Sequence, residues 1–248
     1  MNNINLLILG FIAGFGSAFL GIGGGVIMVP ALVLFFGYEI RKSVGTSLAT
    51  IVPAALVGAI THYLIKSGNI QFVTALLIIP GSIAGAKLGA ILVNKINGRL
   101  LRSLFALLLL FIGLKQTGII SIPTGHISSV NIYPLLIILG LVAGTASALF
   151  GIGGGVVLVP ALSLLFGLSM HQAIATSLAV IVPTAFAGAV FHSKFDNIDT
   201  GAIKFLIPAS LAGAVSGAVF SNMTSPAALQ FIFGLALILV AAKLLLKK

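Results

Sequence analysis

The chain has 248 residues, 59% of them hydrophobic and only 6% charged, with 13 Lys and Arg, 3 acids, no Cys and a formal net charge of +10. With a mean hydropathy of +1.27 this composition excludes an ordinary water-soluble domain. It makes the basic excess a membrane-anchoring feature, not a nucleic-acid footprint, and the missing cysteine rules out disulfides and thiolate metal sites.

From the N-terminus, Met1-Asn2-Asn3-Ile4-Asn5 lacks the basic region of a cleavable signal peptide, so the first apolar run is expected to be retained. That run, residues 5–37, is too long for one span, which needs about 20 residues. It is interrupted by Gly21-Ile22-Gly23-Gly24-Gly25. Each interior Gly costs a helix about 1 kcal/mol, so the cluster predicts a deliberate break between two short helices. Residues 43–65, 70–93 and 99–115 then fit one span each, the last being short. A linker over 116–133 carries the loop residues Gly118, Pro123, Gly125 and Ser128-Ser129. Residues 134–167 are again too long and again broken, at Gly151-Ile152-Gly153-Gly154-Gly155. Spans over 172–192, 200–220 and 226–246 follow.

The chain is a duplication. Residues 10–62 align with 140–192 with more than half of the positions identical, and after a two-residue deletion the match resumes, pairing Pro80 with Pro208, Gly85 with Gly213 and Gly89 with Gly217. The predicted organisation is a first transmembrane repeat over 1–115, the linker 116–133 and a second repeat over 134–248. Basic residues decide the topology. If each broken unit crosses once, they divide seven against five between the two faces. If each is a hairpin returning to its own side, they divide ten against two, with only Lys66 and Lys115 on the poorer face. The positive-inside rule selects the hairpins. Each half then makes an odd number of net crossings. The predicted fold is therefore an all-α polytopic membrane protein of two inverted repeats, each a Gly-broken helix hairpin plus three transmembrane helices, with both termini cytoplasmic. Inverted repeats with broken helices are a recurrent transporter plan.

The glycine clusters are the first functional candidates. Gly21, Gly23, Gly24 and Gly25, with Gly151, Gly153, Gly154 and Gly155, read as an anion nest in which the helix that starts at each cluster points free N–H groups at a ligand. Close helix packing through small residues is the competing reading, and it is the one assigned to the isolated Gly58, Gly85 and Gly89. Gly24→Val and Gly154→Val are expected to abolish transport with folding near normal. Thr46, Ser47, Thr176 and Ser177 open a helix after a polar loop, as N-caps or as hydroxyl donors to the anion. Pro30, Pro53, Pro160 and Pro183 are hinge candidates, since a proline inside a helix removes one N–H. His62 and His192, read as lying near the non-cytoplasmic end, are candidates for gating or protonation. His126 and His171, unpaired by the repeat, read as loop residues. Lys87 is the one base well inside a span. Glu39, Asp196 and Asp199 all fall in loops, which argues against a buried carboxylate relay. No catalytic set, metal site or cofactor motif is present, so an enzyme is not expected.

The doubled GIGGGxxxVPAL block, each copy followed by TSLAxIVPxA, resembles the signature of the sulfite exporter TauE/SafE family, also called the toluene-sulfonate uptake permease family. The resemblance covers nearly the whole chain. It implies a plasma-membrane transporter of sulfur-containing anions such as sulfite, organosulfonates or related small carboxylated anions. It places the family motif on Gly21 to Gly25, Pro30, Thr46, Ser47 and Pro53 and their repeat partners. The acid-poor interior agrees with an anionic cargo but does not by itself specify sulfur. The implied partners are a small anionic substrate and the lipid bilayer. The alternative is an anion-selective channel or pore.

Overall fold

A computed structural model describes residues 3–93, 98–119 and 132–246. His126, Lys95, Lys247, Lys248 and most of the expected linker lie outside the described residues. Among those described there are ten α-helices and no strand: α1 Asn3–Leu20, α2 Gly25–Phe35, α3 Ile40–Ile65, α4 Phe72–Leu92, α5 Gly98–Gln116, α6 Ile132–Phe150, α7 Gly155–Leu164, α8 Met170–Ser193, α9 Thr200–Met223 and α10 Pro226–Leu246. Six of them, α1, α3, α4, α6, α8 and α9, are long and apolar enough to cross a membrane. The stretch expected as a short span at 99–115 is α5, which carries Arg99, Arg102 and Lys115 and falls outside that set.

The two broken units are uneven, which corrects the expectation of paired short helices. α1 has 18 residues and α6 has 19, whereas α2 has 11 and α7 has 10. Eighteen helical residues rise about 27 Å, so α1 traverses most of a bilayer core before its glycines are reached. α2 then folds back along α1. Leu32 near its end packs in one cluster with Leu6 and Leu9 near the start of α1, and with Ala202 and Leu206 of α9. Gly37, with φ of 70°, ends α2, and the Tyr38 N–H donates back to the Leu32 carbonyl. Gly167 and Leu168 repeat this stop after α7, the Leu168 N–H bonding the Leu162 carbonyl.

The duplication is carried into the packing. α1 lies against α9, and their repeat counterparts α6 and α4 lie against each other. A Cβ on Gly14 would strike the Ser210 carbonyl, and one on Gly213 the Phe11 carbonyl. In the other pair Gly144 meets the Ser82 carbonyl and Gly85 the Leu141 carbonyl. Lipid supplies no hydrophobic drive between helices, so such backbone approach through small residues supplies the dispersion that holds them. α3 and α8 pack on each other at the centre, and α5 pairs with α10, where Gly113 approaches the Gly234 carbonyl.

Candidate functional site

Each glycine cluster is an elbow between a long helix and a short returning one. Gly21, Gly23 and Gly24 have φ of 71°, 78° and 73°, and Gly151, Gly153 and Gly154 have 70°, 77° and 87°. Such a run of left-handed residues is open only to glycine. Gly24 and Gly154 stand as N-caps without any side-chain cap bond. The first hydrogen bonds of α2 run from the Ile27 and Met28 N–H groups to the Gly24 carbonyl, at 3.1 and 3.0 Å, and α7 repeats them on Gly154. The N–H groups of Gly25 and Val26 precede any intrahelical acceptor and lie at the positive end of the α2 dipole.

The two elbows sit back to back. A Cβ on Gly25 would strike the Gly151 carbonyl, and one on Gly155 the Gly21 carbonyl. One on Gly23 would come within 2.6 Å of the Ile152 carbonyl oxygen and 3.3 Å of the Gly153 Cα. Gly23, Gly25 and Gly155 are therefore glycine because the elbows meet backbone to backbone, whereas a Cβ on Gly21 would lie 2.9 Å from the Ile174 Cα, one on Gly151 2.9 Å from the Val44 Cα and one on Gly153 3.0 Å from the Ile181 side chain. Ser47 donates to the Gly151 carbonyl at 2.9 Å and Ser177 to the Gly21 carbonyl at 3.0 Å, so each half holds the other's elbow. Thr46 accepts from the Asp199 N–H at 2.9 Å, and Thr176 from the Gln71 N–H at 3.0 Å.

Three sequence expectations change here. Thr46-Ser47 and Thr176-Ser177 do not open helices, because α3 already begins at Ile40 and α8 at Met170. The cap of α8 is instead a capping box, in which Ser169 accepts from the Gln172 N–H and the Gln172 side chain accepts from the Ser169 N–H. Gly24→Val cannot leave folding near normal. Its φ is left-handed and an added Cβ would sit 2.5 Å from the Ala13 carbonyl oxygen.

The histidines supply the third change. They end α3 and α8, but at opposite ends of the bundle. His62 neighbours Asn222 at the end of α9, whereas His192 neighbours Asn197, close to the Thr46 and Asp199 contact. Both rings are buried and tied to a carbonyl of the preceding long helix, His62 Nε2 on Ala18 at 2.9 Å and His192 Nε2 on Ala148 at 3.0 Å. A carbonyl partner assigns the proton to Nε2, which leaves His62 Nδ1 to accept from Asn222 at 2.9 Å. Asn222 in turn accepts from Asn69.

Pro30, Pro53, Pro160 and Pro183 all lie inside helices, in α2, α3, α7 and α8. Glu39 and Asp199 precede α3 and α9, and Asp196 lies in the turn before α9. Asp199 caps α9 through the Gly201 and Ala202 N–H groups, at 2.9 and 3.0 Å, and accepts from the Tyr38 hydroxyl at 2.8 Å. Burial opposes its ionisation, but those bonds and the Lys42 charge outweigh it and hold the carboxyl below its usual range. Burial, then Asp199, push the Tyr38 phenol upward. Lys87 is exposed on α4.

Beside the first elbow lies a narrow crevice with no room for a water molecule. Ser17, Gly24, Met28, Thr50, Ile51 and Ser210 are among the residues that line it. The Ser17 hydroxyl is 1% exposed and has no hydrogen-bond partner. Ser17 has a repeat counterpart in Ser147, each four residues before its glycine cluster, and the Ser147 hydroxyl is also buried without a partner. No cluster of three or more His, Asp or Glu groups able to hold a metal is found among the described residues.

The family model for sulfite exporter TauE/SafE proteins matches residues 1–116 and 136–248. The chain belongs to this family. Among TauE/SafE relatives, it is 31% identical over 195 residues to a probable membrane transporter protein, YdhB, of Bacillus subtilis, covering 75% of this chain and 76% of that one. It is 31% identical over 196 residues to a probable membrane transporter protein, MJ0441, of Methanocaldococcus jannaschii, covering 75% and 70%. YunE of Bacillus subtilis, with the same description, is 29% identical over 216 residues, 77% and 78% of the two chains. No solved structure matches. This TauE/SafE member is a multi-pass membrane protein, with its matched regions on the two halves and the segment 117–135 left between them.

Proposed function

We propose that this TauE/SafE protein is a plasma-membrane transporter that moves a small anion, sulfur-containing as in sulfite or an organosulfonate, by alternating access between two inverted halves. The observation that carries the reading is the reciprocal seating of the elbows, each held through its own carbonyl by a serine of the other half. A joint made of four such groups has few bonds to exchange when the halves move. Pro53 and Pro183, one to two turns further along α3 and α8, weaken the helices where they must bend. The helix start at Gly24 supplies donors for the anion without a buried cation.

Contacts at the two ends of the bundle support inversion. Thr46 near the start of α3 meets Asp199 at the start of α9, and His62 near the end of α3 meets Asn222 near the end of α9. α9 thus runs parallel to α3. Its counterpart α4 follows α3 across the short turn of residues 66–71 and runs back. Counterparts of opposite direction are what an inverted repeat requires.

Purified protein in liposomes should take up sulfite and methanesulfonate saturably, and a potassium diffusion potential should change the rate. One charge crossing 100 mV is worth about 2.3 kcal/mol. Unitary conductance steps would make the protein a pore. Flux that ignored the potential and followed a pH gradient would make it proton-coupled.

A further inference from the structure

We propose that the anion binds in the crevice beside the first elbow, on the hydroxyls of Ser17, Thr50 and Ser210 together with the start of α2, and that the corresponding crevice of the second half is closed. This rests on the reading of the chain as an anion transporter and locates the site within it. The space between the elbows is filled by contacting backbone, so an occupant has to lie to one side.

The Ser17 hydroxyl is the evidence for a ligand. It is buried on the crevice wall with its hydrogen-bonding capacity unused, which a native interior rarely tolerates; the Ser147 hydroxyl of the second half is buried and unpartnered in the same way, so it is the lining around the serine that separates the two halves. A Cβ placed on Gly24 would lie 3.3 Å from the Ser17 Cβ, so the hydroxyl stands beside the helix start. Thr50 and Ser210 donate to carbonyls of their own helices, those of Thr46 at 2.9 Å and Ile207 at 2.8 Å. A hydroxyl can rotate away from such a bond to serve a stronger acceptor. Three hydroxyls and a helix start are a donor set for an oxyanion head group.

The pseudo-symmetric crevice differs at the positions that matter. Thr50 is replaced by Val180, which removes a hydroxyl, and Met28 by Leu158, which removes the most adaptable side chain of the wall. Ala54 is replaced by Thr184, whose hydroxyl donates to Ser82 Oγ and to the Val180 carbonyl at 2.7 Å each. Ser82 is the counterpart of Ser210 and likewise donates to a carbonyl of its own helix, that of Ile79 at 2.9 Å, so what Thr184 adds in the second half is bulk against that hydroxyl where the first half has only the Ala54 methyl. The narrowness of the first crevice requires its wall to yield, and Met28 on the short helix α2 is the flexible element there.

The chemistry selects a monoanion. No Lys or Arg lines the crevice, so a second buried negative charge would have no counter-ion. Ala13, Ile51, Ala54 and Met28 give the crevice an apolar lining beside the hydroxyls, suited to the carbon end of a small sulfonate or carboxylate.

The test uses methanesulfonate as probe, with sulfate as the dianion control, in thermal-shift and liposome flux measurements on the full chain. Methanesulfonate should raise the melting temperature of the wild type and sulfate should not. Ser17→Ala should raise KM for methanesulfonate roughly tenfold, as loss of a hydrogen bond to a charged group implies. Thr50→Val should raise it in the same direction, and Ser17→Thr should restore it. Ala54→Thr, which installs the closing residue of the second half, should remove the thermal shift while the unliganded protein still melts cooperatively. Ser147→Ala should keep the wild-type KM. Wild-type KM in both Ser17→Ala and Thr50→Val overturns the site while leaving anion transport standing. So does an equal rise in Ser147→Ala. A wild type that neither binds nor moves methanesulfonate or any other monoanion overturns the transport reading and the site with it.

Discussion

Two serines in equivalent places make the same bond across the molecule. Ser47 and Ser177 each satisfy a buried carbonyl of the opposite elbow, a group that would otherwise be left without a donor. Loss of such a donor costs about 1–3 kcal/mol. Ser47→Ala and Ser177→Ala should therefore lower thermal stability by similar amounts, and they should reduce the maximal rate with little change in KM because they act on the joint and not on the anion. Detergent melting curves beside liposome kinetics check this. A KM effect larger than the rate effect would place these hydroxyls on the ligand. The histidines are governed by the same bookkeeping of partners. With Nε2 donating to Ala18 and Nδ1 accepting from Asn222, His62 has no ring nitrogen left to take a proton without breaking a bond. That favours a role in tying α1 to α3 and to α9.

The two halves also differ at the level of single helices, and Asp199 is the clearest case. It caps α9 and holds Tyr38, whereas its counterpart Gln71 precedes α4 with no side-chain cap bond. Asp199→Ala should destabilise the protein by about 1 kcal/mol for the cap alone. The carboxyl is held below its ordinary value of 3.8, so the folded state favours the ionised form. Its stabilisation is complete above that value and disappears as pH falls through the lower folded one. The difference in melting temperature between wild type and Asp199→Ala should accordingly be full at neutral pH and shrink in strong acid. A difference that grew on acidification would contradict the assignment. Elsewhere the helices are joined by the repeated glycine contacts of α1 with α9 and of α4 with α6, which leave little surface where a side chain can be enlarged.

At the scale of the whole molecule, every main contact has a counterpart under exchange of the halves: α1 with α9 and α6 with α4, α3 with α9 and α8 with α4, and α3 with α8 and α5 with α10 on themselves. Exchange of the halves therefore leaves this pattern of pairings unchanged, with α3 and α8 as the central pair. With inverted halves, the turn bearing Lys66 lies on the opposite face from Arg41 and Lys42. Single cysteines placed at Lys66 and Lys115 in this cysteine-free chain should react with an impermeant thiol reagent added outside intact cells, and one at Lys42 should not. Reaction of Lys66→Cys only after the membrane is opened would remove the inverted topology, and with it the argument for alternating access.

The membrane class, the helical character and the doubled glycine break were legible in the sequence because each follows from a local property: too little charge for a water-facing surface, apolar runs of spanning length, and glycines where a helix cannot afford them. The family was legible for the same reason, since the doubled motif is contiguous. What Gly23 and Gly25 meet was not legible, because the carbonyls of Ile152 and Gly151 that exclude their side chains lie in the other half of the chain. Nor was it visible that Thr46 and Ser47 face Asp199 and Gly151, or that His62 and His192 stand at opposite ends. Local pattern shows where a chain breaks and which residues are unusual. Only the packing of one half against the other decides which unusual residues are already partnered and which, like the hydroxyls of Ser17 and Ser147, are buried without a partner.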